Sequence, residues 1–440
     1  MSSHHPFDAS RRNALKCLAF GSVGTVFVLA GGILTPMELA LAADAKTSGA
    51  MSGVPLFLQI SDSHIGFNKE ANPDVAGTLK QTIDFVNAMP VKPALTIHTG
   101  DITHLSRPAE FDLAAQLMSG LNITELHTVP GEHDVTDGAG TEYFSRFGQA
   151  SDNKGYYSFD HQGVHFVALV NVMHFKPNGL GGLGDDQLAW LENDLKGRSS
   201  STPIVVFAHM PMWTIYEPWG WGTGDAGQAM SYLKRFGSVT VLNGHIHQIV
   251  SKVEGNITFH TARSTAYPQP TAGNGPRSRP ADGGERSTAP NARRDQHQDC
   301  APSAQSNARR YDAGLIQRTF EFRRSTMQIP TLRRMSCVLF LGASLFAAAA
   351  GSSVAYAQTP GAVTIKNFMF SPMAMTVKAG STVTWKNLDG EPHTVVNDAG
   401  LFRSAALDQN DTYQFKFDKP GVYKVFCGIH PTMKETITVE

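Results

Sequence analysis

An ordered series of acidic and imidazole side chains runs through the first part of the chain. Its blocks are Asp62-x-His64, Gly100-Asp101-x-x-His104, Gly131-Glu132-His133-Asp134, His209 and Gly244-His245-x-His247. Carboxylates and imidazoles together suit Zn, Mn or Fe, and one carboxylate can bridge two such ions. A metal pair can lower the pKa of a water between them, polarise a phosphoryl oxygen and stabilise the charge that builds during in-line displacement. An isolated Asp-x-His arises often by chance; the whole series, with glycines beside the ligands, is specific. A second set is His393 with Cys427-Gly428-Ile429-His430-Pro431-Thr432-Met433. Two imidazoles, a thiolate and a distant thioether suit a copper ion that passes single electrons.

These groups need strands to carry them. Leu56–Ile60, Ala94–His98, Leu126–Val129, Val164–Asn171, Ile204–Ala208 and Val239–Asn243 read as strands, being β-branched or apolar and bounded by Gly, Pro or Asp. Ala76–Met89, Ala109–Leu121, Asp185–Leu195 and Gly227–Phe236 read as amphipathic helices. Their alternation predicts an α/β layered fold, and the ligand blocks fall just after strands, where open α/β sheets place their crevice. Beyond Gln358 the pattern is all strand: Val363–Phe370, Met375–Val377, Thr382–Lys386, His393–Val396, Tyr413–Phe417, Val422–Phe426 and Glu435–Val439. That spacing predicts an all-β sandwich or barrel.

Other side chains have two readings. His98, His127, His165 and His260 lie in or at the ends of strands and read as packing residues. His104 is a candidate contact for substrate phosphate, with packing as its equal. The segment Met210–Trp221 holds three of the five tryptophans, which makes Trp213 and Tyr216 candidates for stacking on a flat leaving group. Packing of that loop on its own scaffold is the competing reading, slightly favoured.

The first series resembles the calcineurin-like metallophosphoesterase superfamily, over Pro55 to about Pro268. The resemblance implies a multi-domain chain whose first fold is a four-layer αββα sandwich. It implies that Asp62, His64, Asp101 and His247 hold one metal, and that Asp101 bridges to a second held by Glu132, His209 and His245. His133 would protonate the leaving alkoxide, with Asp134 orienting it. One block departs from the family, which usually has Gly-Asn-His where this chain has Gly131-Glu132-His133. The added carboxylate lowers the net positive charge of the pair, should raise the pKa of the bridging water, and shifts preference toward iron or manganese. The purple acid phosphatases match less well, because His64 and His104 stand at positions where they have Gly and Tyr. The stretch Val363–Glu440 is similar to a cupredoxin of the amicyanin and plastocyanin type, on Thr382-Val383-Thr384-Trp385, Pro392-His393 and the closing loop. It implies an all-β Greek-key sandwich, with copper on His393, Cys427, His430 and Met433. The His430 ring would be the exposed route to an unidentified redox partner.

Composition sets the remaining bounds. The 440 residues have room for two or three domains, and a net charge of −1 gives no reason to expect nucleic acid as a partner. Of the four cysteines, Cys17 and Cys337 lie in export-like segments, Cys300 in a polar stretch and Cys427 in the copper-type motif, so no disulfide framework is expected. Residues 1–42 read as a signal peptide with the twin arginine Arg11-Arg12, an apolar run Cys17–Leu34 and Ala40-Leu41-Ala42 as cleavage site, with an uncleaved anchor as the alternative. A short mature tail, 43–54, follows. Residues 269–326 read as a disordered or frame-shifted linker, since no Leu, Ile, Val, Phe, Met or Trp occurs between Tyr267 and Leu315. Residues 327–357 form a second signal-like unit, ahead of the copper-binding domain 358–440. Arg333-Arg334 would stay cytoplasmic, whereas the first signal exports the domain upstream of them, so two separate mature proteins joined by a frame error are expected, with a genuine fusion as the alternative. The sequence thus reads as a periplasmic dinuclear-metal (Mn, Fe or Zn) phosphoesterase acting on phosphomonoesters or phosphodiesters, exported by the twin-arginine machinery and joined to a type 1 copper electron-transfer domain. The rival is a phosphoesterase fold that binds metal without turnover, disabled by Glu132, with copper the only active centre. Retention of His133 and Asp134 argues against that rival.

Overall fold

Strands that are apolar on both faces must be covered on both sides, and the first fold does this with four layers. The computed structural model describes residues 24–30, 33–39, 54–272 (apart from 124, 149, 150, 152, 153 and 177) and 361–440. One sheet contains β1 (Gly24–Ala30), β2 (Ile33–Leu39), β3 (Val54–Ile60), β4 (Leu95–His98) and β5 (Leu126–Thr128), in the order β2-β1-β3-β4-β5. The other contains β6 (Tyr157–His161), β7 (Val164–Ala168), β8 (Ile204–Phe207), β9 (Val239–Asn243), β10 (Ser251–Glu254) and β11 (Ile257–Thr261), in the order β10-β11-β9-β8-β7-β6. The sheets meet through Phe57, Ile97 and Val129 on one side and Phe166, Val205 and Phe207 on the other.

Helices close the outer faces. Val75, Leu79, Ile83 and Val86 recur at helical spacing and are buried, so α1 (Val75–Asn87) packs on Leu58 and Ile60. Asp74 starts this helix by accepting from the Gly77 N–H at 2.8 Å. α2 (Pro108–Met118) and α3 (Thr141–Phe147) join the same layer through Phe111 and Tyr143. On the second sheet, α4 (Asp185–Leu195) and α5 (Ala226–Leu233) cover Val206 and Val241 with Leu188, Leu191 and Leu233.

The second fold is a sandwich of two four-stranded sheets. Its strands are β12 (Ala362–Ile365), β13 (Phe370–Ser371), β14 (Ala374–Val377), β15 (Ser381–Asn387), β16 (Val396–Asn397), β17 (Thr412–Phe417), β18 (Gly421–Phe426) and β19 (Lys434–Val439). They are ordered β13-β12-β15-β17 and β14-β19-β18-β16 around Val383, Trp385, Phe417, Val425 and Ile437. Two expected strands are shorter than anticipated. Val363–Phe370 breaks where Asn367 and Phe368 take left-handed φ values of 54° and 57°. Of His393–Val396 only the end is strand, and His393 makes an isolated bridge to Leu407. β6, β10, β11 and α3 were not anticipated from the sequence pattern; β10 is a largely exposed edge strand, with little periodicity to announce it.

The described residues of the two folds belong to one compact unit. The linker and second signal-like unit expected at 269–357 lie outside the described residues, save 269–272. No helix among the described residues is long and apolar enough to cross a membrane. The described part of the apolar run expected to be a leader pairs as strands: β1 pairs with β3, and Phe27 stacks on Phe57 with centroids 4.6 Å apart. A β hairpin serves this run because its valines, leucines and phenylalanine suit a buried strand as well as a leader core. Phe27→Ala is therefore expected to cost about 3–5 kcal/mol in denaturant unfolding. An unchanged midpoint, or equal stability of a chain starting after Ala42, would show that the hairpin is no part of the working fold.

Candidate metal centres

Each block of the first series leaves the end of a parallel strand. Register sets them side by side: Ile60 pairs with His98 and His98 with Thr128, so the residues just past β3, β4 and β5 lie level. Phe207 pairs with Leu242 in the opposite sheet, which brings His209 level with Gly244. The backbone there is strained. Asp62, His64, Asp101, His245 and His247 have φ of 52°, 41°, 52°, 68° and 53°, a conformation costing about 1–3 kcal/mol each for such residues. A Cβ on Gly131 would land on the Asp101 carboxylate, and one on Gly244 on Ser61 and Asp62. Glycine is required at both for this close approach.

Seven side chains converge. Asp101 Oδ2 lies 3.5 Å from His64 Nε2 and 3.3 Å from His209 Nε2. Glu132 reaches His209 Nε2 at 2.9 Å and His245 Nδ1 at 2.8 Å. Asp62 Oδ1 is 3.5 Å from His247 Nε2, which lies 3.1 Å from His64 Nε2. The outer ring nitrogens are fixed by carbonyls: His209 Nδ1 donates to Thr99 at 2.7 Å and His247 Nδ1 to Tyr267 at 2.6 Å. That turns both Nε2 atoms inward.

The electrostatics fit a bound cation. Asp62 Oδ2 and His245 Nε2 are buried without a hydrogen-bond partner among the described residues, as ligands aimed at a common ion would be. Burial opposes charge on Glu132, but His245 and His209 hold its pKa well below the carboxylate range. Burial likewise opposes charge on His209, yet Asp101 and Glu132 raise its pKa well above the usual value. Without metal, these two carboxylates favour a proton on His209. Asp62, His64 and His247 form one set able to hold a metal, and Glu132, His209 and His245 another. The division expected from the sequence is geometrically available, with Asp101 between the two sets.

His133 sits beside the cluster, its N–H on Asp101 Oδ1 at 3.0 Å. Asp134, expected to orient it, does otherwise: its carboxylate accepts from the N–H groups of Ile102, Thr103 and Gly131 at 3.0, 2.8 and 3.0 Å. It clamps the Asp101 and Glu132 loops together because three backbone donors converge there. Its pKa is pushed up to about 7 by burial and by Asp101. The His133 ring is oriented instead by the His104 carbonyl, which accepts from Nδ1 at 2.9 Å. The His104 ring stacks on His133 at 5.3 Å and leaves Nε2 without a partner.

Trp213 and Tyr216, expected as candidate substrate contacts, are occupied by packing: Trp213 lies against Phe259 at 5.0 Å and Tyr216 against Trp219 at 5.2 Å. Tyr267 was missed. Its ring lies 5.1 Å from His64 and 4.9 Å from His247, and only its place at the last apolar residue before the polar stretch could have drawn attention to it. His98 and His165 are held by Ser63, Asp160 and Asp194, as packing residues would be.

The copper-type residues also converge. Cys427 Sγ lies 3.8 Å from His393 Nδ1 and 4.0 Å from His430 Nδ1, and the two imidazole nitrogens are 3.2 Å apart. The sulfur accepts from the N–H groups of Thr394 and His430 at 3.3 and 3.4 Å. Burial opposes ionisation of Cys427, yet the two imidazoles hold its pKa well below the thiol range. Met433 is buried in the same core. Asp389, which carried no signal in the sequence, accepts from His393 Nε2 at 3.0 Å and so presents Nδ1 to the metal position.

Comparison with known proteins finds a family for each fold. Residues 55–249 match the calcineurin-like phosphoesterase family and residues 337–439 the cupredoxin-like domain. Over 102 residues the chain is 36% identical to "Amicyanin-alpha" of Methylorubrum extorquens, covering 21% of this chain and 86% of that one. Over 85 residues it is 41% identical to "Plastocyanin" of Scenedesmus fuscus, covering 16% and 87%. Over 221 residues it is 24% identical to "Probable glycerophosphodiester phosphodiesterase GpdQ" of Arcobacter nitrofigilis, covering 48% and 79%.

A proton held by His209 must leave when metal binds. Metal uptake at neutral pH is expected to release protons, and affinity to fall by about tenfold per pH unit for each proton displaced as the solution is acidified. Calorimetry in buffers of different ionisation enthalpy measures the release. Buffer-independent heats would contradict this assignment.

Proposed function

For a chain that belongs to the calcineurin-like phosphoesterases over residues 55–249 and to the cupredoxins in its last part, a metal-dependent phosphoester hydrolase joined to a copper domain, we propose the following division of labour. Asp62, His64, Asp101 and His247 hold one metal; Asp101, Glu132, His209 and His245 hold the second. The substrate is a phosphodiester or phosphomonoester, the first favoured by the similarity to a probable glycerophosphodiester phosphodiesterase. The observation that supports this most is Asp101 lying between two ligand sets with His133 anchored on its carboxylate.

Bound there, the metals would supply Lewis-acid polarisation of the phosphoryl group and a water of lowered pKa. The chain's own residues do the rest. His133 holds Nδ1–H on the His104 carbonyl, which leaves Nε2 to carry a proton to the leaving oxygen. Burial works against that proton, but Asp101 and Glu132 raise the His133 pKa and so favour its acid form. His104 Nε2, buried and unpaired, is placed to meet a phosphate oxygen. Asp134 is a positioning residue for the loop rather than for the ring. In the copper domain, His393, Cys427, His430 and Met433 hold a type 1 copper that carries one electron at a time.

We place both activities in the periplasm on the strength of Arg11-Arg12 and the signal-like unit at 327–357. His133→Ala in the Mn-loaded chain should slow hydrolysis of poor leaving groups by about 10²–10⁴ and of good ones far less. Equal losses across an aryl phosphate series would remove His133 from the acid role. The copper-loaded chain should be intensely blue, and Cys427→Ser colourless. A copper-loaded wild type without colour would sink the type 1 assignment.

A further inference from the structure

The copper-loop edge of the second fold is turned onto the metal cluster of the first. Arg403 packs beside Gly428 of the copper loop, and its guanidinium donates to the Thr136 carbonyl at 2.9 Å. Thr136 follows His133 by three residues. Thr432, two residues after His430, abuts Gly179, and Lys69 pairs with Asp408 at 2.9 Å. Leu105, adjacent to His104, is buried in the apolar core that contains Cys427 and Ile429.

The donor chemistry on the other side of this contact is compatible with a metal that changes oxidation state. Glu132, His209 and His245 form a two-histidine, one-carboxylate set, and so do Asp62, His64 and His247. Such sets suit iron, and an anionic carboxylate where a neutral carbonyl would serve favours the higher oxidation state.

We propose that the phosphoesterase metal cluster is the redox partner of the copper centre, taking iron on its two ligand sets with Asp101 between them and exchanging single electrons with copper across the Arg403–Thr136 contact. This rests on the ligand assignment above. Cu(I) becomes Cu(II) as one ferric ion becomes ferrous, or the reverse; no bond forms or breaks. The oxidation state of the pair, and with it the availability of the hydrolytic site, then follows the copper.

The test uses the full chain carrying copper and iron, with metal content measured, and injects one electron by flash photoreduction. The blue absorbance should show a first-order phase, in either direction, that is independent of protein concentration and absent when zinc replaces iron. Lys69→Asp, which sets two carboxylates against each other at Asp408, should slow that phase about fivefold, and adding Asp408→Lys should restore it. A chain that binds no iron, an iron-loaded chain without the phase, or a rate that scales with concentration would overturn the proposal. Aryl phosphate hydrolysis by the same preparations separates the two readings. Hydrolysis without the phase sinks only electron exchange, and the phase without hydrolysis sinks only the hydrolase.

Discussion

Asp101 has to serve two sides of a buried cluster at once, and the surrounding structure is organised around that demand. One oxygen faces His64 and His209, and the other accepts the His133 N–H. Its own carbonyl accepts the His64 N–H at 3.0 Å, tying two blocks back to back. Such convergence requires three adjacent parallel strands ending level, which the pairing of β3, β4 and β5 supplies. It also requires that Gly131 have no side chain. Asp134 adds the clamp between the two loops. The left-handed backbone at five ligand positions is the strain left by this arrangement, and ion binding is what would offset it.

The copper centre solves a similar problem by different means. Two imidazoles and a thiolate are brought together by one short loop plus one upstream histidine. The sulfur is held by two backbone N–H groups, and His393 is fixed from behind by Asp389. Phe368 packs edge-on against both imidazoles, at 5.4 Å from His393 and 4.9 Å from His430. A rigid, dry setting of this kind keeps reorganisation small when an electron moves.

Much of this was legible before any coordinates. Asp185–Leu195 and Val239–Asn243 coincide with the elements seen, because their apolar periodicity is strong and their ends are marked by Gly or Asp. The ligands themselves stood out because chemistry restricts them to a few residue types beside glycine. What was not legible is what those types do not encode. Asp134 bonds backbone N–H groups rather than the neighbouring histidine, and nothing in Gly-Glu-His-Asp distinguishes the two. Tyr267 and Asp389 act through tertiary proximity alone. The run Cys17–Leu34 is apolar enough to serve as a leader, yet its part from Gly24 onward pairs as strands, since hydrophobicity does not separate the two roles.

The central claim is that one buried carboxylate, Asp101, is shared by two metal ions, with a single copper held separately by His393, Cys427 and His430. Anomalous diffraction from metal-loaded crystals, collected at the iron, manganese and copper edges, tests it most directly. The account predicts two peaks about 3.5–4 Å apart flanking the Asp101 carboxylate, with Glu132 on one of them, and one copper peak beside Cys427. A single peak near Asp101, or a second metal without Glu132 among its ligands, would contradict it.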